Sequence, residues 1–205
     1  MDGIIFDMDG VLVDTEEFYL TRRLEFLKEE GIEPATMNIF DFVGETNNGI
    51  WKKLVPQDNT LRKRLSKKYD KYREEHPTDY RTLLIPGVEE VFKELRLNKK
   101  KVAIASSSPL KEINNMIAQN QFQNYIDFVI SGEDLNESKP NPEIYLKTVS
   151  GLGQGEYIAV EDSTLGIRAA KDAGLFTLAL KSRFVTDQSY ADQQIETLHE
   201  ILNYM

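Results

Sequence analysis

From residue 86 onwards, short apolar runs alternate with stretches of helical periodicity, and this rhythm constrains the fold more than any other feature. Four runs of four or five residues, at 102–105, 128–131, 157–160 and 176–180, are almost continuously apolar. Another, Ile4-Ile5-Phe6, stands near the N-terminus. Such runs separated by helices are typical of parallel strands that are buried on both faces. We therefore predict an α/β fold with a three-layer, doubly wound parallel sheet, and a last helix over about 195–202.

The residues between the first strand and this rhythm have a helical pattern without any β pattern. A helical block of this kind, placed after the first strand, predicts an insertion into the sheet domain. We expect residues 1–14 and 82–205 to form a Rossmann-like core domain, with residues 15–81 as an inserted α-helical cap domain.

Two carboxylates, Asp7 and Asp9, directly follow the first apolar run. Side chains alternate along a strand, so both acids point to one side, and Gly10 permits a sharp turn after them. Paired acids at a buried strand end are costly unless a cation neutralises them, and carboxylate oxygens suit Mg²⁺. A calcium loop would need Asp or Asn at position 11, where this chain has Val11.

Polar residues also follow later strands: Ser106, Ser131-Gly132 and Glu161-Asp162. Ligands of doubly wound sheets bind at the carboxyl ends of the strands, so these groups should gather with Asp7 and Asp9. Acids and hydroxyls together at one edge indicate a metal-assisted phosphate site.

Ser106 opens a loop leading into a helix that should begin near Pro109. Hydroxyls and free amides at a helix start bind phosphate well. Ser107 or Ser108 could instead simply cap the helix, and both roles are compatible, with Ser106 on the ligand and Ser108 as the cap.

Lys139 lies in the loop Ser138-Lys139-Pro140-Asn141-Pro142. The prolines restrict this loop to an extended conformation before the next helix. A lysine held rigidly between a strand end and a helix start is suited to neutralise a transferring phosphoryl group.

The charge balance of the 205 residues, 34 acidic against 25 basic, gives a net charge of −9. This excess argues against nucleic acid or an anionic membrane as the main partner, although a small phosphorylated substrate is compatible with it. The chain has no cysteine, no signal-peptide pattern and no apolar run long enough to span a bilayer. We expect a cytoplasmic protein, with a monomer as the default.

Four motifs in this order resemble the haloacid dehalogenase superfamily of phosphohydrolases, in particular its β-phosphoglucomutase-like subfamily. They are Asp7-Met8-Asp9-Gly10-Val11, Ser106, Lys139-Pro140, and Glu161-Asp162-Ser163 with Gly166 downstream. The resemblance covers essentially the whole chain, including a helical cap after the first motif.

The resemblance implies a role for each motif. Asp7 would be the nucleophile that forms an aspartyl-phosphate, and Asp9 the general acid and base. Mg²⁺ would be bound by Asp7, the backbone carbonyl of Asp9 and Asp162, with Glu161 as a further ligand or an indirect partner. The substrate would be held by Asp7, Asp9, Gly10, Ser106, Ser107 and Lys139 in the core, and by Thr46 and Asn47 in the cap. The cap would close over the site and read the leaving group.

Three functions fit these residues. The first is a Mg²⁺-dependent phosphatase for a small phosphorylated metabolite such as a sugar phosphate. The second is a sugar-phosphate mutase, but the mutase places Lys and Arg around a cap glycine where this chain has Val43 and Asn47. The third is a catalytically silent binding protein, which should have lost an acid that this chain retains. We therefore expect a phosphatase, and Asp9 marks the phosphoryl-transfer branch rather than a dehalogenase.

Overall fold

The structure, a computed structural model, describes residues 1–42, 47–184 and 186–205. The chain divides into a sheet unit, Met1–Asp14 with Tyr80–Met205, and a helical unit, Thr15–Asp79. These limits lie within two residues of the boundaries expected from the sequence. The roles of the units as core and cap domains stay a prediction.

In the described residues of the sheet unit, six parallel strands form one sheet, in the order β3-β2-β1-β4-β5-β6. The strands are β1 (Gly3–Phe6), β2 (Lys101–Ser106), β3 (Phe128–Ser131), β4 (Tyr157–Glu161), β5 (Phe176–Leu180) and β6 (Gln193–Ile195). The predicted α/β fold with a parallel sheet is confirmed.

Helices follow the strands as the apolar periodicity indicates. They are α1 (Glu16–Glu29), α2 (Asn47–Leu54), α3 (Asn59–Glu75), α4 (Val88–Leu97), α5 (Leu110–Gln119), α6 (Glu143–Leu152) and α7 (Thr164–Asp172). Alternate residues of β1 enter different apolar clusters: Ile4 and Phe6 pack with Phe92, whereas Ile5 packs with Tyr145. Both faces of the sheet are therefore covered, which gives the three layers. Within the described ranges, every helix is too short or too polar to cross a bilayer.

The end of the chain differs from the prediction of a helix over residues 195–202. Ile195 instead closes β6 and pairs with Leu180 of β5. A 3₁₀ helix, Leu198–Tyr204, begins after Thr197, where Glu200 completes a capping box. The predicted helix began too early, because residues 193–195 form a short strand beside β5. The capping box starts the helix only after this strand.

The chain leaves and re-enters the sheet unit at neighbouring points. Val13 forms an antiparallel bridge with Leu84. The amide of Asp14 donates to the carbonyl of Leu83 at 2.8 Å, and that of Ile85 donates to Leu12 at 2.9 Å. The insertion thus begins and ends beside one short ladder.

The helical unit has its own core, in which aromatic rings from α1, α2 and α3 pack together. Phe26, Trp51 and Tyr69 are all buried, and their ring centroids lie 5.4–6.2 Å apart. Trp51 therefore belongs to this core.

Candidate active site

The candidate site lies at the carboxyl ends of β1, β2 and β4. β1 lies between the other two, and successive strands are added outward from it first on one side and then on the other. Phe6 pairs with Ile104 of β2 and with Val160 of β4. The residues that follow these positions therefore meet at one edge, the usual ligand position of doubly wound sheets. The backbone confirms the convergence, since the amide of Asp7 donates to the carbonyl of Val160 at 3.0 Å.

Lys139 joins three neighbouring strands through its ammonium group. Its Nζ donates to Asp7 Oδ1 at 2.7 Å after β1, to the carbonyl of Ala105 at 3.1 Å in β2, and to Glu161 Oε1 at 2.6 Å in β4. Lys139, Asp7 and Glu161 are all buried. The lysine is thus held at the acids, as its loop position suggested.

Burial and neighbouring charges shift the pKa values of this pair. Burial raises the pKa of Asp7 to about 7; Lys139 opposes the rise, while Glu161 and Asp9 add to it. For Lys139, burial disfavours the charged form, but Asp7 and Glu161 outweigh it and raise the pKa above its usual value. The lysine is therefore charged at neutral pH, and it faces an excess of carboxylates.

Three buried carboxylates, of Asp7, Glu161 and Asp162, each offer an oxygen within 4.8 Å of the others. These oxygens suit a hard divalent cation. One ammonium against three acids also leaves negative charge that such a cation would neutralise. The residues present therefore fit a divalent metal ion.

Gly10 allows the first strand end to approach the acids after β4. Its φ is +83°, and a Cβ there would lie 2.2 Å from Asp162 Oδ2. The residue must be glycine both for the turn that was expected and for a close approach that was not.

Asp9 accepts a hydrogen bond from Ser108, which the sequence analysis considered as a cap of the next helix. The hydroxyl of Ser108 donates to Asp9 Oδ2 at 2.6 Å. The expectation that Ser108 caps α5 is wrong, because no side-chain hydrogen bond caps that helix at Pro109. The hydroxyl instead joins the loop after β2 to the loop after β1.

The expected phosphate loop has a mixed outcome. Ser106 is buried at the end of β2, where its Oγ accepts from the amide of Ser108 at 3.0 Å. Ser107 is exposed. The amide of Leu110 at the start of α5 donates to Glu133 Oε2 at 3.0 Å, so this amide already has an anionic partner.

A family model described as haloacid dehalogenase-like hydrolase matches residues 4–180. The chain belongs to this family of haloacid dehalogenase-like hydrolases. The resemblance drawn from the four motifs is thereby confirmed.

Relatives of this hydrolase cover most of its length. A phosphorylated carbohydrates phosphatase of Thermotoga maritima is 28% identical over 179 residues, which are 85% of this chain and 82% of that protein. Hexitol phosphatase B of Escherichia coli K12 is 27% identical over 210 residues, 96% of this chain and 92% of that protein. The structure of a β-phosphoglucomutase from Clostridium difficile has a TM-score of 0.78 at 20% identity, covering 99% of this chain and 96% of that one, which shows a shared fold.

The two substrate residues expected from the helical unit have separate outcomes. Thr46 lies outside the described residues. Asn47 begins α2 and is exposed, and its Oδ1 accepts from Arg23 Nη2 at 3.3 Å. Their role in substrate binding stays a prediction.

Tyr145 is the site residue that sequence reasoning missed in this hydrolase. Its hydroxyl donates to Glu161 Oε1 at 2.6 Å, and its ring centroid lies 5.3 Å from Lys139 Nζ. The sequence offered one signal for this residue. Tyr145 lies on the apolar face of α6, and a buried phenol hydroxyl needs a hydrogen-bond partner.

Proposed function

We propose that this hydrolase is a phosphatase that hydrolyses small phosphorylated metabolites through an aspartyl-phosphate on Asp7, with Mg²⁺ as its cofactor. The observation that carries the proposal is the buried group of Asp7, Asp162 and Lys139, drawn from three distant parts of the chain. This group combines a nucleophile, a metal ligand and a cation for the phosphoryl oxygens.

In the first step, a carboxylate oxygen of Asp7 attacks phosphorus, and the bond from phosphorus to the leaving oxygen breaks. Asp9 gives its proton to that oxygen. In the second step, Asp9 removes a proton from water, whose oxygen attacks phosphorus. The bond between phosphorus and the Asp7 oxygen breaks, which releases inorganic phosphate and restores the Asp7 carboxylate. Ser108, which donates to Asp9 Oδ2, orients the acid for both transfers.

Charge neutralisation supports both steps. Lys139 and Ser106 are proposed to hold the phosphoryl oxygens, and the Lys139 ammonium already lies 2.7 Å from Asp7 Oδ1. Asp7 and Asp162, with the backbone carbonyl of Asp9, would hold Mg²⁺. When bound, the metal ion neutralises negative charge on the phosphoryl group and on Asp7.

Phosphorylated carbohydrates are the substrate class that we propose. The support is the pair of relatives named for phosphorylated carbohydrates and for hexitol phosphate, both of which align over more than four fifths of this chain. We also propose that the helical unit acts as the cap domain that selects the substrate.

The first experiment measures phosphate release from p-nitrophenyl phosphate with and without Mg²⁺. We expect release by the native chain in the presence of Mg²⁺, and none above background from Asp7→Asn. Asp172→Asn is the matched control, because Asp172 is an exposed acid at the end of α7 and should keep native activity. Equal rates for the native chain and Asp7→Asn would refute the mechanism and favour the silent binding protein.

The second experiment separates the phosphatase from the mutase with β-glucose 1-phosphate. A phosphatase releases inorganic phosphate, whereas a mutase forms glucose 6-phosphate. Val43 and Asn47, which stand where the mutase has cations, favour release. Efficient isomerisation would overturn this choice. A panel of hexitol and sugar phosphates would then rank the substrates.

A further inference from the structure

The carboxylate of Glu161 is fully enclosed by hydrogen-bond donors. Its Oε1 accepts from Lys139 Nζ and from the Tyr145 hydroxyl, each at 2.6 Å. Its Oε2 accepts from the Ser163 hydroxyl at 3.2 Å and from the amide of Asp162 at 3.3 Å. A carboxylate has about four acceptor positions. Both oxygens therefore have two protein donors each, and a metal ion would have to displace one of them.

The surroundings also fix the position of this carboxylate. A Cβ at Gly166 in α7 would lie 2.0 Å from Oε1 and 2.1 Å from Oε2 of Glu161. The helix backbone thus closes one side of the carboxylate, and Tyr145 and Lys139 share one of its oxygens. Glu161 is 0% exposed, whereas Asp7 and Asp162 each keep 8% exposure.

Tyr145 makes two contacts with the same ion pair. Its ring packs beside the Lys139 ammonium, and its hydroxyl binds the glutamate that this ammonium contacts. Phenylalanine would fill nearly the same space, so packing alone does not require the hydroxyl. The hydroxyl instead completes the donors of Oε1 and holds that oxygen in the direction of Lys139.

We propose that Tyr145 is a positioning residue whose hydroxyl fixes Glu161 as the anchor of Lys139. Glu161 then serves the lysine rather than the metal ion, which leaves Asp7 and Asp162 as the carboxylate ligands. The catalytic consequence rests on the proposed phosphatase function, because Lys139 is there to neutralise the transferring phosphoryl group. The family resemblance left Glu161 as either a further metal ligand or an indirect partner, and this proposal assigns it the indirect role.

The test compares Tyr145→Phe with Tyr157→Phe. Tyr157 is a matched control, because it is also buried and lies in the same apolar cluster. Among the described residues, its hydroxyl donates to the carbonyls of Leu152 and Gly153 and makes no hydrogen bond with Glu161. Both variants lose one buried phenol hydroxyl, but only Tyr145→Phe removes a donor from Glu161.

Three measurements follow for each variant. We expect kcat on p-nitrophenyl phosphate to fall about 10-fold in Tyr145→Phe, the scale for loss of a supporting hydrogen bond. KM and the Kd for Mg²⁺ from calorimetry should stay within about 2-fold, because the ligands are untouched. Tyr157→Phe should keep the native kcat. A kcat within 2-fold of native for Tyr145→Phe would overturn the proposal, as would an equal loss in Tyr157→Phe. A Mg²⁺ Kd that weakens together with kcat would also overturn it, because Glu161 would then act through the metal.

A readout independent of activity is the ¹H–¹⁵N signal of the Lys139 ammonium, assigned by its loss in Lys139→Met. This signal should shift in Tyr145→Phe and stay in place in Tyr157→Phe. An unchanged signal in Tyr145→Phe contradicts the positioning role. If the native chain releases no phosphate, the proposed function fails, whereas the ammonium signal and the Mg²⁺ Kd still decide the role of Tyr145.

Discussion

The sheet unit and the helical unit both bury charged side chains, but they compensate them by different means. At the sheet edge, the ammonium of Lys139 contacts the carboxylates of Asp7 and Glu161 within 2.7 Å. In the helical unit, the buried Arg22 donates to the Tyr69 hydroxyl, the His76 carbonyl and the Thr78 hydroxyl at 3.0–3.2 Å. The contacts of Lys139 are therefore with opposite charges, whereas the contacts of Arg22 are with neutral oxygens.

Two further arginines, both half-buried, pack on the Tyr69 ring, and Arg73 also pairs with Asp70 at 3.6 Å. Arg23 and Arg73 lie 5.2 and 6.0 Å from the Tyr69 ring centroid, and the Nε atom of each is buried without a hydrogen-bond partner. Burial lowers the pKa of Arg23, and Arg22 and Arg73 contribute in the same direction. Guanidinium groups tolerate such sites because they are weakly hydrated and stack on aromatic rings. The buried Arg22 thus links helices of the helical unit, whereas the buried ion cluster of the sheet unit is the one that we propose for a reacting anion.

The strongest test of this contrast is Lys139→Met, which removes the only cation from the carboxylates in the sheet-edge cluster described above. We expect kcat to fall by about 10³-fold, because a preorganised charge at the phosphoryl group is lost. Without divalent metal, the free energy of unfolding should fall by about 3–5 kcal/mol, the cost of leaving buried charges unpaired. Phosphate release and urea unfolding measure the two effects.

Lys181→Met is the matched control for Lys139→Met. Lys181 belongs to the sheet unit but pairs with Glu196 in an exposed salt bridge, with a distance of 2.8 Å. Exposed pairs contribute little, so its loss should change neither activity nor stability measurably. Similar losses in the two variants would remove the distinction between a functional and an ordinary ion pair.

Gly166→Ala should lower activity by about 100-fold, or about 2.7 kcal/mol in the activation barrier. The added Cβ would meet the Glu161 carboxylate at 2.0–2.1 Å and displace it from Lys139. Alanine in a helix is otherwise more favourable than glycine by about 1 kcal/mol, so helix propensity predicts the opposite sign. Arg168→Ala, on the exposed side of α7, should keep native activity in the same kinetic assay.

Arg22→Met tests the helical unit. We expect the free energy of unfolding to fall by about 2 kcal/mol, because three hydrogen bonds from a charged group are lost. The rate of phosphate release per folded molecule should stay within about 3-fold at 25 °C. Arg64→Met, exposed on α3, is the control for unfolding. A loss of activity comparable to that of Lys139→Met would contradict a purely structural role for Arg22.

The smallest expected effect is a pH dependence of stabilisation by Mg²⁺. Folded Asp7 has a pKa of about 7, whereas an unfolded aspartate titrates near 4. Between these values the folded state holds an extra proton, so the metal-free protein should lose stability as pH rises from about 4 to 7. Mg²⁺ must displace this proton at pH 5 but not at pH 8. It should raise Tm by about 2–4 °C more at pH 8 than at pH 5, which corresponds to about 1 kcal/mol. Asp7→Asn should abolish this difference in thermal scans.

The convergence of Asp7 and Asp162 was predictable from sequence because it needs only strand order. Asp7 directly follows an apolar run and Asp162 comes two positions after another, and parallel strands bring their carboxyl ends to one edge. The same reasoning predicted that Lys139 would lie near these acids, because its loop follows β3 and precedes α6. Local periodicity was enough for the first five strands.

The hydrogen-bond partners of these residues were not predictable. They depend on how each helix is rotated and on which loop residues meet, and the order of the strands does not determine either. Which atom Tyr145 reaches is set by the rotation of α6 against the sheet. Ser108 reaches Asp9 across 99 residues of chain, a contact that no local capping rule contains. The strand ending at Ile195 was hidden because three residues are too few for a clear alternation.

The ladder between Val13 and Leu84 has a consequence for how this architecture can be altered. Because the polypeptide departs and returns beside paired backbone atoms, the segment between them is a cassette with both ends fixed on a single scaffold. Exchange of residues 15–79 for the corresponding segment of a relative would leave the register of every strand unchanged. If the helical unit selects the substrate, as we propose, recombination at these two adjacent junctions would change substrate range and leave the proposed catalytic residues in place.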